Sequence, residues 1–513
     1  MSRAALYYRS DDARGRRQDA MRRYALQLAA WNMIAEGSSV VIRAVAVDDT
    51  IVTLEQAAVD TLRTGLRGNL VAADSPGYED ARPVWNGLID RRPALIARCL
   101  GTSDIAQCVS FARERGLRLA IRGGGHNIAG LGTCDGGIVI DLSSMRGVLV
   151  DSTQRTARAQ AGCVIGDVDA ETQLHGLAAV LGFVSTTGIG GLTVGGGFGY
   201  TTRRFGWTCD NVRSMDVVTA DGRVVRASET EHPDLFWGLR GGGGNFGVVS
   251  SFEYALYPLG PEIVAGVMAW RGEEAADVLA TVAEFVAAAP PELTCVTILR
   301  KAPPAPWLPA EVHGKLVVVL AVCHTGAIAQ AEKDVAPLKA FRKPVGDIVT
   351  RRTYVAHQRL LDATQPKGRR YYWKSEYLPR VEAAMLARAL AHAERLVSPH
   401  STIAVFPIDG ALNRLGPEHS PAGNRDAAAV LNVMSSWEQA TDDAVNIAWA
   451  QTAWEDLREF STGGNYVNFL ADDEPESRVR AAYGTHYQRL REIKQQWDAA
   501  NLFRVNKNIA PAP

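Results

Sequence analysis

Cysteine is scarce in this chain: seven among 513 residues, odd in number, scattered, with no C-x-x-C pair. That excludes a disulfide framework and zinc-ribbon spacing, and leaves mostly reduced, structural thiols as the expectation. An excess of one charge sign is also missing. With 55 basic and 56 acidic residues and no long block of either, nothing suggests a nucleic-acid groove or a polybasic membrane anchor, so the expected partner is a small molecule. No run approaches the roughly 18 apolar residues of a membrane span, and no membrane association is expected. Walker lysine, G-x-S-x-G elbow and H-E-x-x-H zinc pair are all lacking, and His175, His232 and His486 have no metal spacing, so no metal is expected.

The opening is rich in arginine (Arg3, Arg9, Arg14, Arg16, Arg17, Arg22, Arg23) but has neither the apolar core nor the small-residue cleavage site of a secretory signal. Asp11, Asp12 and Asp19 argue against a transit peptide, so a cytoplasmic location is expected.

At 47% hydrophobic the chain can bury large cores and is expected to hold more than one domain. Residues 1–58 read as an extension of unknown role. From about Val59, Pro93 to Cys99 predicts a strand, Ser103 an N-cap for a helix over Asp104 to Arg115, and Leu117 to Arg122 an alternating strand that runs into a glycine loop. Short β-rich runs follow at Gly137–Leu142, Thr156–Ala161, Met215–Thr219 and Val224–Ala227, with the turn Ala220-Asp221-Gly222 between the last two. The fold class is α+β. After Pro261 the character changes: helical stretches at Glu273–Ala289 and Val381–Val397 and a strand at Lys315–Cys323 predict a second α+β domain to about residue 455. Ser477 to Trp497 has helical spacing.

Three glycine clusters stand out. Arg122-Gly123-Gly124-Gly125-His126-Asn127, with Gly130 and Gly132 beyond, suits close approach of backbone N–H groups to a diphosphate; alone it reads equally well as a tight turn with a surface histidine. Gly188 to Tyr200 has seven glycines in thirteen residues, interleaved with Ile, Leu, Val and Phe as a flexible linker would not be. Gly241 to Gly247 contains the letters G-x-G-x-x-G, but Val248 to Tyr254 behind it predicts a strand and not the helix that a dinucleotide fingerprint requires. The residues alone reach three glycine loops around a phosphate-bearing cofactor.

Together these segments resemble the FAD-linked oxidases of the berberine bridge enzyme type, in the vanillyl-alcohol oxidase superfamily. The resemblance rests on R-G-G-G-H-N at Arg122–Asn127 followed by Gly137–Leu142, on Gly188–Tyr200, on Asp234-Leu235-Phe236-Trp237 leading into Asn245–Val249, on Asn465-Tyr466-Val467-Asn468, and on an ending with Lys494, Asp498 and Asn506-Lys507-Asn508-Ile509. It covers about residue 59 to the end. It implies a two-part FAD-binding domain (59–260), a substrate domain with an antiparallel sheet (261–455) and a C-terminal segment (456–513) returning to the first. It also implies FAD held by Arg122, Gly123, Gly124, Gly125, His126, Asn127, Gly132, Gly188, Gly190, Gly191, Thr193, Gly196, Gly197, Gly199, Val249, Asn468, Asn506 and Asn508, with an 8α-histidyl bond at His126. A neighbouring role for His126 beside noncovalent FAD stays open. Many members add a cysteinyl bond just before the second loop. Val184 stands at that place here and Cys163 is too far upstream, so the chain is similar to the singly linked branch.

A flavin accepts hydride from a C–H bond, and oxidation of a carbinol also requires a base for the hydroxyl proton. The resemblance points to Tyr466 as that base, with packing as its other possible role. A tyrosine of ordinary pKa near 10 needs a cation or dipole to favour its phenolate. Arg369 to Ser375 resembles the substrate-domain strand facing the flavin. Alternation puts Tyr372 and Lys374 on one of its faces, where Lys374 could supply that cation; an ordinary half-exposed strand fits as well. The expected function is oxidation of a secondary alcohol, hemiacetal or sugar-like carbinol, with oxygen reoxidising the flavin to give hydrogen peroxide, by a monomer or homodimer. Amine or alkaloid oxidation is the alternative among enzymes, and a flavin-binding protein without turnover the alternative of another class.

Overall fold

Leu95-Ile96-Ala97 is an unbroken apolar run, the signature of a strand covered on both faces, and it forms an inner strand of the first sheet. A computed structural model describes residues 42–513. The first sheet contains β1 (Asn69–Ala72), β2 (Leu95–Arg98), β3 (Leu119–Arg122) and β4 (Ile138–Asp141) in the order β1-β2-β4-β3. β4 runs parallel to β2 and β3, while β1 is antiparallel to β2. Helix α1 (Thr102–Glu114) makes the crossover that parallel pairing demands. It is capped by Gly101 and not by Ser103. The carboxylate of Asp104, in its first turn, accepts hydrogen bonds from the Arg67, Gly68 and Leu100 amides at 3.0, 3.2 and 2.8 Å.

The second sheet is antiparallel throughout: β5 (Val148–Asp151), β6 (Thr156–Gln160), β7 (Val212–Val218), β8 (Val224–Ser228) and β9 (Val248–Ala255), in the order β8-β7-β9-β6-β5. Gly222 has φ +85° in the turn joining β7 to β8, where the sequence predicts one. Short helices α2 (Ile165–Gln173), α3 (Ile189–Val194) and α4 (Pro233–Leu239) lie in the connections. The second glycine cluster is therefore not a continuous loop, since six of its residues form α3.

The third sheet is larger and antiparallel. β10 (Glu262–Arg271), β11 (Leu293–Lys301), β12 (Leu316–His324), β13 (Arg370–Leu378), β14 (Thr402–Pro407) and β15 (Ala429–Trp437) run in the order β10-β12-β11-β14-β15-β13, with two short strands paired to the outer side of β10. Helices α5 (Ala275–Ala288), α6 (Ile328–Ala340), α7 (Ala383–Ala393) and α8 (Asp443–Leu457) supply the core on one face, around Met268, Trp270, Leu320, Val433 and Trp449. On the other face Val319, Ala404 and Phe406 pack with Phe198, Trp207 and Tyr466. Burial on both faces explains why β12 is almost uninterruptedly apolar.

The expected helix over Ser477–Trp497 is two, α9 (Glu476–Tyr483) and α10 (Tyr487–Trp497), broken at Gly484 with φ +52°. Residues 43–58, read from the sequence as part of the extension, belong to one compact unit with the rest of the chain to Pro513. Arg118 N donates to Val45 O at 2.9 Å and Val47 N to Gly116 O at 2.8 Å. The arginine-rich opening lies outside the described residues. All seven cysteines are buried free thiols, and no described helix is long and apolar enough to cross a membrane.

Candidate active site

The three sheets surround a cavity of about 350 Å³. At one end is the first glycine loop, which leaves β3 at Arg122. Arg122 is buried and pairs with Asp141 of β4 at 2.7 Å, so parallel strand pairing fixes the start of the loop. Gly125 adopts φ +70°, which a side chain would resist. A Cβ on Gly124 would lie 2.5 Å from the backbone nitrogen of Gly188, and one on Gly188 would lie 2.3 Å from that of Gly124. The first two glycine clusters thus touch backbone to backbone, a contact that only paired glycines allow. Asn127 closes the loop by accepting from Ala129 and Leu131 N–H, both at 3.1 Å.

Arg122 to Asn127, Gly132, Gly188, Gly190, Gly191, Val249, Asn468 and Asn506 all line the cavity. The other expected cofactor contacts turn elsewhere. Thr193 is buried and hydrogen-bonds Tyr254 at 2.7 Å. Gly199 packs so tightly that a Cβ would reach 1.9 Å from Leu181 O. Gly196 and Gly197 approach Tyr466, and Asn508 is outside the lining.

A dinucleotide fits this end. Among the described residues, no protein acceptor takes the backbone N–H groups of Gly123 to Asn127. A Cβ at Gly191 would meet nothing within 4 Å, and among the described residues the side-chain oxygen of Asn506, which lines the cavity, is a buried acceptor without a partner. Free backbone N–H donors and open backbone are what a diphosphate and a flat ring system require, and the Asn506 oxygen can accept from a ring N–H. The C-terminal segment is fastened here: Ile509 N donates to Asn245 Oδ1 at 2.9 Å, and the fully buried Lys494 Nζ donates to Asn245 O at 2.7 Å and to Asp498 at 2.6 Å.

His126 is half-buried at the cavity edge. Its imidazole stacks on Trp85, ring centres 4.9 Å apart and planes 15° apart, and Trp85 stacks in turn on Tyr371 at 3.8 Å. Burial and the positive charge of Lys367 push its pKa down to about 4, so the ring is neutral at pH 7. Asn86 ties this stack across the fold by donating to Ile128 O and Tyr371 O, each at 2.9 Å. Neither Trp85 nor Asn86 sits in a recognisable sequence pattern.

Tyr466 is 3% exposed and boxed by Phe198, Trp207 and Phe469. Its phenol oxygen accepts from Gly197 N at 3.0 Å and from Asn468 Nδ2 at 2.8 Å. Burial pushes its pKa up, and these two donors offset only part of that rise. The cation expected from Lys374 is not supplied. Tyr372 and Lys374 do share a face of β13, but it is the helix-covered one: Lys374 pairs with Glu474 at 2.8 Å and Asp473 at 3.1 Å, and Tyr372 donates to Asp473 at 2.7 Å. Their expected catalytic roles are corrected accordingly. Trp373, one residue along, faces the cavity.

The roof over this end comes from the large sheet. Val296, Ile298 and Arg300 of β11, Thr402, Ala404 and Phe406 of β14, and Asn432 and Met434 of β15 point inward at every second residue. Phe183, Leu361 and Phe469 complete a mostly apolar, aromatic enclosure. No cysteine lines it, and Val184 does.

Comparison with known proteins agrees with this arrangement. Residues 93–228 match the FAD binding domain family and residues 465–510 the family described as berberine and berberine like. The chain is 31% identical over 458 residues to (R)-6-hydroxynicotine oxidase of Paenarthrobacter nicotinovorans, covering 87% of this chain and 97% of that protein. It superposes on the crystal structure of 6-hydroxy-D-nicotine oxidase from Arthrobacter nicotinovorans with a TM-score of 0.78 at 28% identity, over 87% and 98% of the two chains. Xylooligosaccharide oxidase from Myceliophthora thermophila C1 shares the fold, with a TM-score of 0.77 at 22% identity over 89% and 100%. The chain is a FAD-linked oxidoreductase and belongs to the berberine bridge enzyme-like group of the vanillyl-alcohol oxidase flavoproteins.

Proposed function

We propose that the protein is an oxidase that carries FAD on a single histidyl bond from His126 and oxidises a carbon bearing nitrogen or oxygen in a small, flat molecule. Molecular oxygen is the terminal acceptor, giving hydrogen peroxide. The observation that carries this reading is a single cavity with free amides and a neutral histidine at one end and an aromatic enclosure around Tyr466 at the other. FAD, when bound, supplies the hydride acceptor. His126, uncharged at neutral pH and clamped by Trp85, has the free nitrogen lone pair that attachment needs. The cysteine-free lining and Val184 support one bond and not two.

The amine is the substrate class the site supports best. Among the described residues no cation stands beside Tyr466, its Lys374 candidate is spent on Asp473 and Glu474, and burial favours the protonated phenol. A neutral amine needs no proton removed before hydride leaves. The carbinol reading is favoured by a different observation: two N–H donors converge on the Tyr466 oxygen and would favour the phenolate that must be present to accept a hydroxyl proton. Anaerobic mixing of the flavin-loaded protein with neutral-ring amines, alcohols and sugars tests both. Bleaching of the yellow flavin by any of them supports an oxidase, bleaching by amines but not carbinols supports the first class, and a flavin that none reduces contradicts the reading.

A further inference from the structure

Three cations line the cavity, and two of them are accounted for. Arg122 is paired with Asp141, and Lys507 lies in the field of Asp472, Asp473 and Glu474. Arg300 is not. Among the described residues its side chain makes one hydrogen bond, from Nε to the carbonyl of the next residue, Lys301, at 3.2 Å, and no carboxylate pairs with it. Burial and the like charge of Arg369 push Arg300 down to about 10, and His400 lies in its field as well; the carboxylate of this group, Glu438, is taken by Arg369 at 3.8 Å and His400 at 3.2 Å. Among the described residues, no aspartate or glutamate lines the cavity.

Sheet register locates this charge. Arg300 stands opposite Thr402, Thr402 opposite Met434, and Met434 opposite Trp373, so one row across β11, β14, β15 and β13 runs from a guanidinium to an indole. Asn432 lies one inward step from Met434. It is fully buried, lines the cavity, and neither its amide oxygen nor its nitrogen has a partner. An unpaired, partly desolvated guanidinium and an unpaired buried amide are each costly, and both costs fall if a ligand completes them.

We propose that the substrate carries a carboxylate that pairs with Arg300, with Asn432 holding a second polar atom of the same molecule. The planar donor fork of arginine matches a carboxylate with two hydrogen bonds, and the apolar, aromatic lining between Arg300 and Tyr466 suits a ring. This names the substrate class and rests on the oxidase reading of the same cavity.

The test uses flavin-loaded protein titrated with benzoate and with benzamide, its neutral isostere, while the visible flavin spectrum is followed. Benzoate should bind roughly tenfold or more tightly than benzamide. Arg300→Gln should abolish that preference by weakening benzoate far more than benzamide, and Arg300→Lys should keep part of it. Flavin content and spectrum report whether each variant is folded, and the wild-type preference stands as a test if Arg300→Gln does not fold. Equal affinities, no perturbation by benzoate up to tens of millimolar, or an Arg300→Gln protein that still prefers benzoate would overturn the proposal. Bleaching separates the two readings: preference for benzoate without reduction by any amine or carbinol sinks the oxidase and spares the anion site. Reduction by neutral compounds without a benzoate preference does the reverse.

Discussion

The indole of Trp85 lies nearly parallel to the imidazole of His126, and its other side is covered by Tyr371 from the large sheet. The ring proposed to carry the flavin is therefore positioned by a residue some forty positions earlier and by a strand far later in the chain. Trp85→Ala should lower the covalently bound flavin fraction severalfold and cost about 3–5 kcal/mol of stability, because it removes a buried ring between two others. Trp85→Phe should retain most of both. In-gel flavin fluorescence after denaturation reads the first effect and thermal unfolding the second; normal attachment in folded Trp85→Ala would count against the clamp.

Gly124→Ala tests the contact between the glycine clusters. The added methyl would meet the Gly188 backbone at 2.5 Å, and backbone cannot swing aside as a side chain can. The expected outcome is protein destabilised by about 1–3 kcal/mol and purified with little or no flavin. A fully yellow Gly124→Ala protein would contradict the packing.

Tyr466→Phe separates the substrate classes. With an amine substrate the loss of kcat should be mild, under about tenfold, whereas a carbinol, which needs the phenol oxygen as proton acceptor, should lose about two to four orders of magnitude. Stopped-flow reduction rates of the variant give the answer directly.

What could be read from the sequence follows the range of the interactions. Glycine loops declare themselves because backbone freedom and close approach are local requirements, and Arg122–Asn127, Gly188 and Gly191 line one cavity. Trp85 and Asn86 act through contacts with His126, Ile128 and Tyr371 that no spacing rule links. Alternation put Tyr372 and Lys374 together correctly, but both faces of β13 are buried, so parity alone could not tell which face meets the cavity; the ion pairs of Lys374 with Asp473 and Glu474 decide it. Nothing in the sequence singles out Arg300, since its significance lies in the partners it lacks among the described residues.

Lys494 and Asp498 hold the C-terminal segment against the third glycine cluster, and both side chains are fully buried. Removing one partner leaves the other charged and unpaired, so Lys494→Met should cost about 3–5 kcal/mol and loosen the flavin. Lys494→Met with an unchanged melting temperature would mean that the pair contributes nothing.

Asp169 is buried with neither carboxylate oxygen hydrogen-bonded, and burial raises its pKa from 3.8 to about 8, slightly offset by Arg359. The folded protein thus holds a proton that the unfolded chain has released, and this group's contribution weakens stability as pH rises from 3.8 to about 8, then levels off. Asp169→Asn should raise the melting temperature at pH 8 and flatten the slope between pH 5 and pH 8. A parallel slope in wild type and variant would remove Asp169 from the account.

The most direct measurement concerns His126. Wild-type protein precipitated with acid should keep its yellow colour in the pellet. His126→Ala, folded and loaded with FAD, should release all of its flavin to the supernatant. Flavin retained in the acid pellet of His126→Ala, or released from wild type, would contradict attachment through this histidine.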